Sequence, residues 1–130
     1  MKLNLSNERI VNTINVLGKL NNAQLPIKVA YAISKNVNKI ESELKVYNTE
    51  KDKLVNKYGE KDKEGKLKVD ENGNIPLKEE HIEDWNRDIK ELLSIENEID
   101  IYMINLDDLL NSNYNISPAE LSAIDFMIND

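Results

Sequence analysis

Residues Ala30–Tyr58 read AYAISKNVNKIESELKVYNTEKDKLVNKY, and their spacing decides the fold. Ala30, Ile33, Val37, Ile40, Leu44, Tyr47, Lys51, Leu54 and Tyr58 follow one another at intervals of 3 and 4, and only Lys51 is polar. A sustained period of 3.5 predicts a long helix with a coiled-coil seam rather than a simple amphipathic surface helix. Ile82, Trp85, Ile89, Leu92, Glu96 and Ile99 repeat the spacing further on. Two seams joined by a turn-rich segment predict a long antiparallel helical hairpin, so the expected class is mainly α.

The rest of the 130 residues arranges itself around that hairpin as one domain. Lys2–Leu5 alternates and predicts a short strand; Ser6 then caps a helix with Ile10, Ile14 and Leu17 on its apolar stripe. Pro26 suits the first turn of the seam helix and Gly59 its stop. Residues 59–76 form the tip. There Lys66–Val69 and Asn74–Leu77 alternate around Asn72-Gly73, which predicts a small β-ribbon. The returning helix is expected over Leu77–Ile99. At about 1.5 Å per residue it is shorter than its partner, so Ile99 should lie opposite Val37. This divides the chain into a coiled-coil arm, 38–99, and a compact α head, 1–37 and 100–130, with two short strands. In the head, Ile101–Leu106 has strand character and is expected to pair with Lys2–Leu5. Ser117-Pro118-Ala119-Glu120 is a capping box opening a last helix with Leu121, Ile124 and Ile128. No internal repeat stands out.

Charge is distributed unevenly. Residues 1–26 carry +2, residues 27–69 carry +4 and residues 70–130 carry −13, for a net −7. Pairing across the hairpin flanks absorbs part of this, and the remainder repels nucleic acid and attracts basic surfaces. There is no cysteine, so disulfides and thiolate sites are excluded. Met1–Leu5 is too short and polar for a signal peptide, and no apolar run approaches about 18 residues. The expectation is a cytoplasmic protein that does not engage a membrane.

Chemistry is sparse. His81 with Asp84 and Asp88 shares a helical face, but acids in a first turn answer the helix dipole and no second histidine completes a metal site. Four glycines, at 18, 59, 65 and 73, cannot assemble a phosphate loop. The lysines at 51, 53, 57, 61, 63, 66 and 68 interleave with acids at 50, 52, 60, 62 and 64, which cancels a nucleic-acid-binding field. The expectation is therefore no catalytic residue, no metal, no cofactor and no direct nucleic-acid binding. In the seams, Lys51 should lay its stem along Trp85, and Glu96 should lie near Ile40.

Three segments carry a resemblance: Leu25–Asn36 (LPIKVAYAISKN), Lys57–Asp62 (KYGEKD) and Ile116–Leu121 (ISPAEL). In these the chain resembles a family of small phage and prophage proteins of low-GC Gram-positive bacteria, in which no catalytic residue is implied. Two long helices joined by a β-ribbon are also similar in shape to a prefoldin subunit. The resemblance implies a non-enzymatic protein-binding module acting in the host cell. One reading is an antagonist of a host defence or regulatory protein, with Glu79, Glu80, Glu83 and Asp84 engaging a basic, nucleic-acid-binding partner. The other is a virion-assembly or chaperone-like accessory that uses Leu67, Val69 and Ile75 at the tip as a clamp and forms oligomers through arm or head.

Overall fold

The computed structural model describes residues 1–129. The protein is mainly helical, 60% helix against 14% strand, with five α-helices and two small sheets among the described residues. Contacts divide the chain into two compact units, residues 1–44 with 96 onward, and residues 45–95.

The first unit opens with β1 (Lys2–Ser6), whose last residue turns the chain into α1 (Asn7–Asn21). Ser6 Oγ accepts the Arg9 N–H at 3.1 Å, the expected cap. On α1 the buried stripe is Ile10, Thr13, Leu17 and Leu20. Thr13 enters it because its hydroxyl donates to the Ala123 carbonyl at 3.0 Å, so nothing polar is left unpaired. The long helix α2 runs Ile27–Tyr58, and the Pro26 carbonyl accepts the Ala30 N–H at its start. From the seam, Ile33, Val37 and Ile40 are buried in this unit, joined by Val29, Ala32 and Asn36. Their neighbours are β2 (Glu96–Asp100), β3 (Ile104–Asn105), α4 (Leu106–Leu110), α5 (Pro118–Ile124) and β4 (Ile128–Asn129). Leu5, Ile99, Ile101, Ile104, Ile124 and Met127 complete one apolar core. Both bonds of the Ser117–Glu120 capping box form.

Three expectations change here. The returning helix does not reach Ile99, and the partner of the first strand is not Ile101–Leu106. Instead β2 pairs antiparallel with β1, setting Leu3 opposite Ile99 and Leu5 opposite Asn97, while β3 pairs in parallel with β4. Residues 95–101 satisfy two periods at once. Leu92, Glu96 and Ile99 continue a 3.5 repeat, yet Ile99 and Ile101 also alternate with exposed Glu98 and Asp100. The open edge of β1 selects the period of 2. Glu96 is accordingly a strand residue with no seam to break. The last helix is also shorter than expected, because Asp125–Met127 forms a 3-10 turn and Ile128 joins β4.

In the second unit α2 supplies Lys45–Tyr58, a 3-10 turn covers Glu79–His81, and α3 spans Ile82–Ser94. Tyr58 is buried and its hydroxyl donates to Asp88 on α3. Leu54, Leu92 and Ile95 line one shallow hollow with Glu50. Between the helices, the expected ribbon of Lys66–Val69 with Asn74–Leu77 does not form. Isolated antiparallel bridges join Gly59 to Leu77 and Lys61 to Leu67 instead.

Those bridges are set by a repeat that spacing had not brought out, Asp62-x-x-Gly65-x-Leu67 and Asp70-x-x-Gly73-x-Ile75, eight residues apart. Each aspartate folds the same turn. Asp62 Oδ1 accepts the N–H groups of Glu64 and Lys66 at 2.9 and 3.0 Å, and Asp70 Oδ1 those of Asn72 and Asn74, both at 2.9 Å. Gly65 and Gly73 take φ of +83° and +81°, the left-handed region that a side chain disfavours.

Candidate functional site

The acids singled out from sequence lie where the tip re-enters α3. Glu79, Glu80 and Glu83 are exposed. Glu79 and Glu80 line a shallow hollow with Glu60 and Lys78. Asp84 differs, being half-buried with an Oδ1 that meets Arg87 Nη1 at 3.2 Å, so its charge is already answered. The apolar trio of the tip does not form a patch. Leu67 and Ile75 are half-buried and turn inward, and a methyl group built on Gly59 would meet each at 2.9 Å. Val69 alone stands out, 64% exposed.

Beside the acids is a polar cluster. The Tyr58 hydroxyl holds Asp88 below the usual carboxylate range, with Arg87 adding to the effect. The His81 ring packs against Tyr58 at 5.4 Å between centroids, and Nε2 lies 3.6 Å from Glu80. Tyr58, Asp88 and Arg87 are committed to one another, whereas His81 Nδ1 is buried without a hydrogen-bond partner. Among the described residues no three metal-ligating side chains converge. The cation–π contact of this unit joins Lys57 to Tyr58, at 5.1 Å, rather than Lys51 to Trp85. Of the lysine run, Lys53 pairs with Glu50 at 2.9 Å and Lys68 with Glu60 at 3.8 Å.

Folding also redistributes the charge. Residues 45–95 carry thirteen acids against eleven lysines and arginines, whereas the other unit carries eleven against six. The acidic excess read from residues 70–130 is therefore shared between the units, and the greater part falls in the first.

That first unit holds a groove that composition and spacing had not pointed to. About 400 Å³ in volume, it lies between the first turns of α2 and the segment 102–108, lined by Ile27, Lys28, Tyr31, Tyr102, Met103 and Asp108 among others. Ile27 is 84% exposed, Tyr31 52% and Tyr102 47%. The two rings meet edge to face, 5.4 Å between centroids and 73° between planes. Tyr102 is held by its backbone: its N–H donates to Asn36 Oδ1 at 2.8 Å, and its carbonyl accepts from Asn36 Nδ2 at 2.9 Å. Aromatic side chains locked at a partly apolar hollow are the usual anchors of recognition surfaces. One sequence signal was present: Tyr31 lies off the apolar ladder of its own helix and so had to find another use.

No family model, curated protein or solved structure matches the chain. Among the described residues no helix is long and apolar enough to cross a membrane.

Two carboxylates give a pH expectation. Asp88 is depressed by the Tyr58 hydroxyl, and Glu120 by the Tyr114 hydroxyl that donates to it at 2.9 Å. A depressed folded-state value stabilises the fold above the unfolded value and loses that stability as pH falls through the folded one. Urea midpoints should therefore be flat above about pH 5 and decline below it. The double variant Asp88→Asn, Glu120→Gln should start lower and decline less steeply between about pH 5 and 3. An unchanged acid slope would show that these two carboxylates do not govern the decline.

Proposed function

We propose that the protein is a non-enzymatic protein-binding module, encoded by a phage and acting in the host cytoplasm as an antagonist of a host defence or regulatory protein. Its acidic side chains engage a basic partner of the kind that normally binds nucleic acid. The observation that carries this reading is the exposure of Glu79, Glu80 and Glu83 on one short stretch, where Glu79 and Glu83 have no ion pair among the described residues and Glu80 meets only His81 Nε2, at 3.6 Å. Asp84, held by Arg87, contributes less than its place in the sequence suggests.

The test is capture of host proteins on the tagged chain, from nuclease-treated lysate with and without infection. A basic host protein released by salt, and lost with Glu79→Gln, Glu80→Gln, Glu83→Gln, is the expected result. Exposed ion pairs contribute about 0.2–1 kcal/mol each, so the triple variant should weaken that complex roughly tenfold. Equal capture by the variant at all salt concentrations would remove the electrostatic reading.

Val69 favours a second reading, the virion-assembly or chaperone-like clamp. In it, the Lys45–Tyr58 portion of α2 and α3 act as the two limbs of an antiparallel hairpin arm, a reading supported by the Tyr58–Asp88 bond and by the hollow that Leu54 shares with Leu92. Copies then associate through arm or head. It requires capture of capsid or tail proteins only after infection, insensitive to salt and lost with Val69→Ser.

A further inference from the structure

We propose that the Tyr31–Tyr102 groove receives an arginine side chain of the protein partner. The inference rests on the reading of this protein as a binder of basic proteins, and it gives that partner an anchor away from Glu79, Glu80 and Glu83.

Asp108 is the residue that selects the occupant. It is half-buried in the wall of the groove, and among the described residues its carboxylate takes no hydrogen bond and no ion pair. A carboxylate partly withdrawn from water and unpaired favours a donor that bears positive charge. Lys28 also lines the groove but is exposed, so water satisfies its ammonium without a partner. The asymmetry of burial makes the groove a site for a cation rather than an anion.

The rings choose among cations. Lys35 already holds its Nζ over Tyr31, 5.5 Å from the centroid, which leaves Tyr102 as the ring open to an incoming charge. A guanidinium is planar and more weakly hydrated than an ammonium, stacks on an aromatic face and offers a fork of N–H donors to a carboxylate. Ile27 and Met103 provide apolar wall for its methylene stem. The Asn36 clamp on the Tyr102 backbone keeps the ring from having to be ordered on binding, which lowers the entropic cost of docking.

The experiment uses the full chain, isotope-labelled, titrated in NMR with the peptide acetyl-Gly-Arg-Gly-amide. The control carries citrulline, which keeps the shape and removes the charge. Saturable shifts at Tyr31, Tyr102 and Asp108 with arginine, and none with citrulline, are expected. Asp108→Asn should weaken the arginine peptide at least fivefold, and Lys28→Gln should tighten it. Tyr102→Ala, which keeps the backbone pair with Asn36, should abolish the shifts while the remaining spectrum shows the fold intact. Equal shifts from both peptides, an Asp108→Asn variant that binds as before, or no saturable shift at the groove would each overturn the proposal. Shifts confined to Glu79, Glu80 and Glu83 would overturn the groove alone and leave the acidic-surface reading standing. The titration needs no partner, so loss of the host complex in the capture experiment cannot imitate its failure.

Discussion

Replacing Asn36 with leucine is expected to destabilise the first unit by about 2–5 kcal/mol. Asn36 is fully buried, 0% exposed, and its amide works as a peptide group in the core. It accepts from the Tyr102 N–H, donates to the Tyr102 carbonyl, and lies 3.5 Å from the Met127 sulfur. Leucine fills a similar space but leaves the backbone donor and acceptor of Tyr102 unpaired, each costing about 1–3 kcal/mol when water cannot reach it. Domains of this size are stable by about 5–15 kcal/mol, so a loss in this range is a large share of the total. Asn38 on the same helix is exposed, and Asn38→Leu should shift stability by no more than about 0.5 kcal/mol. Urea unfolding followed by circular dichroism compares the two. Matching midpoints would mean that the Tyr102 backbone finds other partners and that the amide clamp has little energetic weight. If the clamp holds the ring as described, any folded Asn36 variant should also lose the Tyr31–Tyr102 ring contact.

The second large effect belongs to Gly59. A Cβ at this position would stand 2.6 Å from the Val55 carbonyl oxygen and 2.9 Å from both Leu67 and Ile75. The oxygen is helix backbone and already accepts the Gly59 N–H at 2.8 Å, so it cannot step aside. Overpacking of this kind costs about 1–3 kcal/mol, and the contact with backbone places Gly59→Ala at the upper end. Gly65→Ala is the comparison. That site is open, with nothing within 4 Å, and its cost of about 1–2 kcal/mol comes from the positive φ alone. Trp85, the one tryptophan of the chain, lies in the same unit and reports its unfolding by fluorescence. A Gly59→Ala protein as stable as Gly65→Ala would mean that the tip can lift off α2. Leu67 and Ile75 would then be free to serve as the apolar clamp after all.

The expected helix stop at Gly59 is correct, and steric room is its reason. The structure shows no positive φ there, only the absence of room. The turn at Asn72-Gly73 was legible from its dipeptide alone, because φ > 0 is a local requirement. Its eight-residue duplicate was legible too, once Asp62 and Asp70 are aligned rather than the apolar positions.

Glu79, Glu80 and Glu83 face solvent as a polar run at a helix start should, and that much follows from local chemistry. The neutralisation of Asp84 by Arg87 depends only on neighbours three apart on α3, and spacing could have shown it. The inward turn of Leu67 and Ile75 could not be seen, because it depends on a space beside Gly59 that exists only after the chain has doubled back.

Local and periodic features are what one strand of residues carries within itself. They include the long α2 seam, the Ser6 cap, the Ser117–Glu120 capping box, the strand character of Lys2–Leu5 and the mainly helical class. Each needs only neighbours within about four positions, so each is written in adjacent letters. The choice of strand over helix at Glu96–Asp100 came from the waiting edge of β1, almost a whole chain away in sequence. Asn36 became a core residue because the Tyr102 backbone, 66 positions on, had two polar groups to satisfy. Tyr31 and Tyr102 became one aromatic corner, with Asp108 beside it, for the same reason. Pairings between distant residues are settled by burial and hydrogen-bond satisfaction in three dimensions, and those are the pairings that built the groove.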